Sequence, residues 1–158
     1  MAPEKVPPTR RRWKPDGLLW DLWLLKRRLD WALSAASTSV GLSAAGAEVI
    51  VELSRAPKGL TQRRLAQRLR VQPPSISTLV SRLVEDGVVE RVPDPRDDRA
   101  WLVRLTRHPD VVELLERLAR EEDGVLGVLK PSEVAEARAL VGRLSRSLRR
   151  LDEVGDDS

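Results

Sequence analysis

Few side chains in this sequence can do chemistry, and which ones are scarce narrows the function. The single histidine, His108, stands in "TRHPD", and there is no cysteine. One imidazole without a thiol leaves no Cys/His nucleophile pair and no transition-metal ligand set within one chain. No glycine-rich phosphate loop accompanies it. A lone histidine in a connecting segment is usually a solvated or helix-capping residue, and His108 is read that way. "REED", Arg120 to Asp123, gathers three acids that could hold a hard cation, but a charged helix face is the simpler reading. No catalytic residue, metal or cofactor is therefore expected. The lack of cysteine also removes a disulfide framework and a thiol redox switch, and it fits a reducing compartment.

Charge is more informative. Residues 53–84 carry Arg55, Lys58, Arg63, Arg64, Arg68, Arg70 and Arg82 and no acid, in a chain that holds 24 acids. A 32-residue window kept clear of negative charge suits a surface that meets a polyanion. Of its arginines, Arg63, Arg64, Arg68 and Arg70 are the expected phosphate contacts. A second concentration lies in "RVPDPRDDRAWLVRLT", Arg91 to Thr106. There Pro93 to Arg99 puts two prolines, three acids and two arginines between a β-like run (Val88, Val89, Arg91, Val92) and another (Trp101 to Leu105). This predicts a hairpin that holds a charged tip in water. Trp101 falls in the returning strand, where a core role is expected in preference to stacking on a bound polyanion.

The elements that position these residues follow from periodicity. Residues 1–15 are Pro-rich and basic, and are read as a flexible arm. From residue 16, Leu18, Leu22, Leu25, Leu29 and Leu33 recur at helical spacing within a first helix-bearing segment that runs to Gly41; Trp20, Trp23 and Trp31 widen its apolar face. Ser43 suits the cap of a second helix to about Arg55. Thr61 suits the cap of a short third helix, with Leu60 and Leu65 placed as a hydrophobic staple. Pro73 and Pro74 open a fourth helix, with Ile76, Leu79, Val80, Leu83 and Val84 as its apolar face and Gly87 as its stop. After the hairpin, Val111, Leu115, Leu118, Val125 and Leu129 form one stripe. Beyond Pro131, Val134, Ala137, Val141, Leu144, Leu148 and Leu151 make a heptad-like seam. The expected fold is mainly α with a small β-hairpin: a winged helix-turn-helix core over 42–106, helices over 16–41 and 107–151, and an acidic tail over 152–158. The outer helices carry apolar faces that a 65-residue core cannot cover alone, so Leu18, Leu22, Val141, Leu144, Leu148 and Leu151 are expected to meet a second subunit.

Two short basic helices joined by "RVQPP" let the second project as a DNA-reading helix. With its apolar residues buried, the opposite face presents Pro74, Ser75, Ser77, Thr78, Ser81 and Arg82. Small hydroxyl side chains permit deep entry into a major groove, and Arg82 can reach a phosphate or a guanine edge.

"LTQRRLAQRLRVQPPSISTLVSRLVEDGVVERVPDPRDDRAWLVRLT" resembles the DNA-binding core of the multiple-antibiotic-resistance regulator (MarR) family. The likeness lies in a helix-turn-helix closing at Leu83 before Gly87, a strand reaching Arg91, "DPRDDRA", and a strand ending in "LT". The resemblance implies an intertwined homodimer, with each recognition helix in the major groove of a pseudo-palindromic double-stranded operator and each wing in the flanking minor groove. By that pattern Arg96 and Arg99 are the wing arginines, with Asp97 or Asp98 bracing them; which arginine enters the groove stays open. It also implies a repressor, released when a small aromatic or anionic effector enters a crevice beside the dimerisation helices, for which Trp20, Trp23 and Trp31 are the candidate wall residues. Packing in the core or dimer is the competing role for each. "RHPD" stands where the family commonly has glycine after "LT", so the start of the fifth helix is expected to be shaped differently. Against the DNA reading stands a winged-helix module whose basic face holds an acidic protein. No apolar run reaches the roughly 18 residues of a membrane span, and a cytoplasmic protein without a membrane partner is expected.

Overall fold

The structure, a computed structural model, describes residues 17–155. Six helices and one hairpin follow in the order α1 (Leu18–Ser39), α2 (Ala44–Ser54), α3 (Gln62–Leu69), α4 (Pro73–Glu85), β1 (Val89–Asp94), β2 (Asp97–Leu105), α5 (Pro109–Leu126) and α6 (Pro131–Gly155). This is the mainly α architecture with a β-hairpin wing that the sequence predicts. The basic arm of residues 1–15 and residues 156–158 of the acidic tail lie outside the described residues, as do the side chains of Asp98 and Leu151.

Local chemistry sets the boundaries. Ser43 Oγ accepts from the Gly46 amide (3.1 Å) and Thr61 Oγ1 from the Arg64 amide (3.3 Å), so α2 and α3 begin at hydroxyl caps. Leu60 and Leu65, which bracket the second cap, are both buried. Pro73 and Pro74 occupy the first turn of α4, where missing amides cost nothing. The helix then ends in a Schellman motif. Gly87 takes φ +72°, its amide donates to the Val84 carbonyl (3.0 Å), and the Val88 amide donates to that of Leu83 (2.9 Å). Leu83 and Val88, brought together by that motif, are both core residues.

The core runs through Ile50, Leu53, Leu65, Ile76, Val80, Leu83, Val88, Val103 and Leu114, joining α2, α3, α4, the hairpin and α5. β2 is held on both edges. β1 pairs with it antiparallel from Val89↔Leu105 to Pro93↔Trp101, and Leu60 exchanges two backbone hydrogen bonds with Val103 (2.9 and 2.8 Å) on its other side. The sequence offers no strand pattern at Leu60, because a single bridging residue has no periodicity to reveal it.

Three expectations about the lobe are corrected. Trp101 is not in the core: it is 56% exposed. In α5 the buried positions are Val111 and Leu114; Leu115 and Leu118 only flank the core, and Val125 and Leu129 are exposed. The hairpin tip is not seven residues long but a two-residue turn at Pro95 and Arg96, closed by Asp94 opposite Asp97. The residues between Asp97 and Trp101 are accommodated as a bulge, because the register shifts between Pro93 and Asp94. His108 does cap α5, with Nδ1 accepting from the Asp110 amide (3.3 Å). Among the described residues no single helix is long and apolar enough to cross a membrane.

Candidate nucleic-acid interface

α4 turns Ile76, Val80 and Leu83 into the core and leaves Pro74, Ser75, Ser77, Thr78 and Arg82 exposed, with Ser81 half-buried. The hydroxyls are not equivalent. Thr78 Oγ1 donates back to the Pro74 carbonyl (3.2 Å), while Ser81 Oγ accepts from Arg91 Nη2 (3.0 Å) and so ties the helix to the wing. Arg82 lies 3.9 Å from Asp86, an exposed and loose pairing that a phosphate can displace.

The wing is ordered by acids acting on its backbone. Asp94 Oδ1 accepts from the Arg96 amide and Asp97 Oδ1 from the Arg99 amide, both at 3.0 Å. Asp97 thus braces Arg99 through the main chain, leaving the guanidinium outside the bond. Asp94, which the sequence reading passed over, does the same for Arg96. The signal for it was present: an Asp followed by Pro is the chemistry of an Asx turn. Arg96 and Arg99 are exposed at the tip. Further down, Glu90 and Arg104 form a cross-strand ion pair (2.8 Å). Thr106 Oγ1 donates to the Gly87 carbonyl (2.7 Å) and accepts from the His108 amide (3.2 Å), joining the wing's end to both α4 and α5.

α3 presents Arg63 and Arg64 in its exposed first turn. Arg68 differs from them: its Nη1 lies 3.2 Å from Glu52 of α2, a carboxylate that also holds Arg55 (3.8 Å). Arg70 closes the helix in the left-handed conformation (φ +54°), the one non-glycine residue with positive φ among the described residues. Its place is the turn between the two helices, where the Val71 amide reaches back to the Ala66 carbonyl (3.1 Å).

Between α4 and the wing lies an open cleft of about 590 Å³ lined by Gln62, Ser77, Arg91, Trp101 and Val103. Arg91 marks the strand in the family likeness, but the sequence carries no signal that it and Gln62 share a cleft.

The MarR-family model matches residues 40–100, the span from the end of α1 to the wing. An HTH-type transcriptional regulator of Mycobacterium tuberculosis is 31% identical over 102 residues, covering 65% of this chain and 71% of the relative. This chain belongs to the MarR family. The PcaV transcriptional regulator from Streptomyces coelicolor, solved with its natural ligand, is 28% identical with a TM-score of 0.58, covering 86% of this chain and 99% of that one. Two further structures share the fold: CouR from Rhodococcus jostii bound to p-coumaroyl-CoA (23% identity, TM-score 0.70, 82% and 92% covered) and apo MarR from E. coli (24%, 0.63, 81% and 96%).

In this MarR-family chain the outer helices leave their apolar residues uncovered. Leu18 is 62% exposed, Val141 and Leu148 are about half exposed, and Leu22 and Leu144 are partly buried. Leu18, Leu22, Val141 and Leu144 border an apolar groove of about 680 Å³ between α1 and α6. Trp20 and Trp23 stack with ring centroids 4.8 Å apart, and the Arg27 guanidinium sits 5.0 Å from the Trp23 ring. Trp31 stands apart from that stack, 75% exposed beside Leu24, Arg27 and Arg28.

Proposed function

We propose that this chain acts as a homodimeric, sequence-specific DNA-binding repressor that releases its operator when a small aromatic or anionic molecule binds. The observation that carries the DNA reading is the joining of two basic readers. α4, with its exposed Ser, Thr and Arg82, is tied through Ser81 and Arg91 to a hairpin whose tip arginines have backbones fixed by Asp94 and Asp97. A recognition helix and a wing fixed relative to each other suit adjacent major and minor grooves. Arg63, Arg64, Arg68 and Arg70 are assigned to phosphates.

Homodimerisation is supported by the uncovered apolar faces of α1 and α6. A second copy would remove Leu18, Val141 and Leu148 from water, and two-fold symmetry would then require half-sites roughly 10 bp apart. The effector reading rests on α1, where the stacked Trp20 and Trp23 offer aromatic faces and Arg27 a positive charge. The ligand-bound states of CouR and PcaV accord with it.

Gel shift and footprinting on the upstream region of the protein's own gene test the main reading. A protected pseudo-palindrome is expected, with rising reporter expression when the protein is removed. No retarded fragment at low salt would overturn it in favour of an acidic protein partner. Titration of aromatic carboxylates, read by Trp emission and operator release together, tests the effector. Release without any change in emission would remove Trp20, Trp23 and Trp31 from the pocket wall.

A further inference from the structure

The alternation of the hairpin explains where Trp101 stands. Cross-strand partners share a face, so Val89 with Leu105, Arg91 with Val103, and Pro93 with Trp101 form one stripe. Along this stripe Val89 and Val103 are buried, whereas Trp101 at the far end is 56% exposed. The stripe faces the helical body, but the hairpin outruns that body, and Trp101 overhangs the cleft it shares with Gln62, Ser77 and Arg91. A large apolar ring, a guanidinium held in place by Ser81 (3.0 Å), a hydroxyl and an amide therefore line one open notch of about 590 Å³.

We infer that this notch seats the sugar–phosphate backbone of one DNA strand, with the Trp101 indole packed on a deoxyribose and Arg91 on a neighbouring phosphate. The inference rests on the proposed DNA reading. If α4 occupies a major groove and the wing the adjacent minor groove, the ridge between those grooves is a phosphodiester backbone. That ridge must pass between helix and wing, where this notch lies. Its lining matches such a strand: an apolar face for the sugar, a fixed cation for the phosphate, and donors from Ser77 and Gln62. Among the described residues the notch lining includes no acid. Backbone contacts position a protein without reading sequence, so Trp101 adds affinity for any duplex and sets the register in which α4 and the wing tip read theirs.

The test compares wild type, Trp101→Ala, Trp101→Phe and Arg91→Ala on the footprinted operator and on an unrelated duplex over a salt series. Trp101→Ala is expected to weaken both duplexes about tenfold, the effect of uncovering half an indole, with its salt slope unchanged. Trp101→Phe keeps an aromatic face and should stay within about threefold of wild type. Arg91→Ala should lower the slope by about 0.9, one phosphate's worth. Trp101 is exposed, so thermal melts of the Trp101 variants should match wild type. Wild-type affinity of Trp101→Ala on both duplexes, while the wild type still binds the operator, would overturn the notch and leave the DNA reading intact. A loss confined to the operator would overturn the backbone assignment in favour of base reading. Failure of the wild type to bind any duplex would overturn both.

Discussion

Gly59 offers the sharpest test of how the wing is held. It has φ +90°, and a Cβ there would lie 2.8 Å from the Val103 carbonyl oxygen, 3.1 Å from Leu102 Cβ and 3.2 Å from Arg104 Cβ. The first of these is backbone and cannot swing aside. That same carbonyl accepts from the Leu60 amide (2.9 Å), and the Val103 amide donates to the Leu60 carbonyl (2.8 Å). Gly59→Ala should therefore incur about 1–2 kcal/mol of left-handed strain. Loosening the two hydrogen bonds adds about 0.5–1.5 kcal/mol each, for a loss of about 2–5 kcal/mol. Gly41 is the control, with φ +74° and nothing within 4 Å of a built Cβ, so Gly41→Ala should cost the strain alone. Urea unfolding at fixed protomer concentration would read both variants; in thermal melts each kcal/mol is worth about 2–4 °C at this chain length. An equal loss in the two variants would mean that the Val103 carbonyl is not the obstacle and that the Leu60 bridge does not anchor the wing.

Other perturbations address the remaining parts. Arg96→Ala and Arg99→Ala should each be folded normally, and the one that enters the minor groove should lose about 1–3 kcal/mol of operator binding in gel shift; losses from neither would dismiss the wing. Thr106→Val removes the hydroxyl that bonds Gly87 and His108, and should cost about 1–3 kcal/mol of stability in denaturant titrations. Val141→Asp paired with Leu148→Asp leaves the lobe core untouched and should convert the proposed dimer to folded monomers in sedimentation; an unchanged dimer would move the interface elsewhere. Arg64→Ala should lower the salt slope of binding by about 0.9, and Arg68→Ala by less, because Glu52 already neutralises Arg68.

Most of the elements were legible because their signals are local. Hydroxyl caps at Ser43 and Thr61, the proline pair at the start of α4, and Gly87 at its end each act within a few residues and lie where the sequence places them. What the sequence hid depends on how far the elements extend in space. Alternation correctly puts Trp101 on the inward face of the hairpin, yet whether that face meets anything depends on where the helical body stops. The α5 stripe erred by one residue at Leu114, since the side chains at both 114 and 115 are leucine and only the lobe chooses between them. Leu60 is a strand of one residue and was invisible to any periodicity.

The electrostatics show the same limit in a form that bears on function. Along the chain, residues 53–84 hold seven cations and no acid. In space the window is bordered by the carboxylates that flank it in sequence. Glu52 reaches Arg55 and Arg68, and Asp86 lies near Arg82. These pairs are unequal. The Glu52 side chain is only 20% exposed, and its 3.2 Å contact with Arg68 fixes α3 on α2. The Arg82–Asp86 pair is open to water at 3.9 Å, where such contacts contribute little and exchange readily. Arg82 can therefore trade its carboxylate for a phosphate at almost no cost, while Arg68 is committed to the lobe and, on the proposed DNA reading, is the weaker phosphate contact. On the proposed DNA reading the acids next to the window then have a role that their sequence position conceals: they sort its arginines into those that build the reader and those left for the duplex.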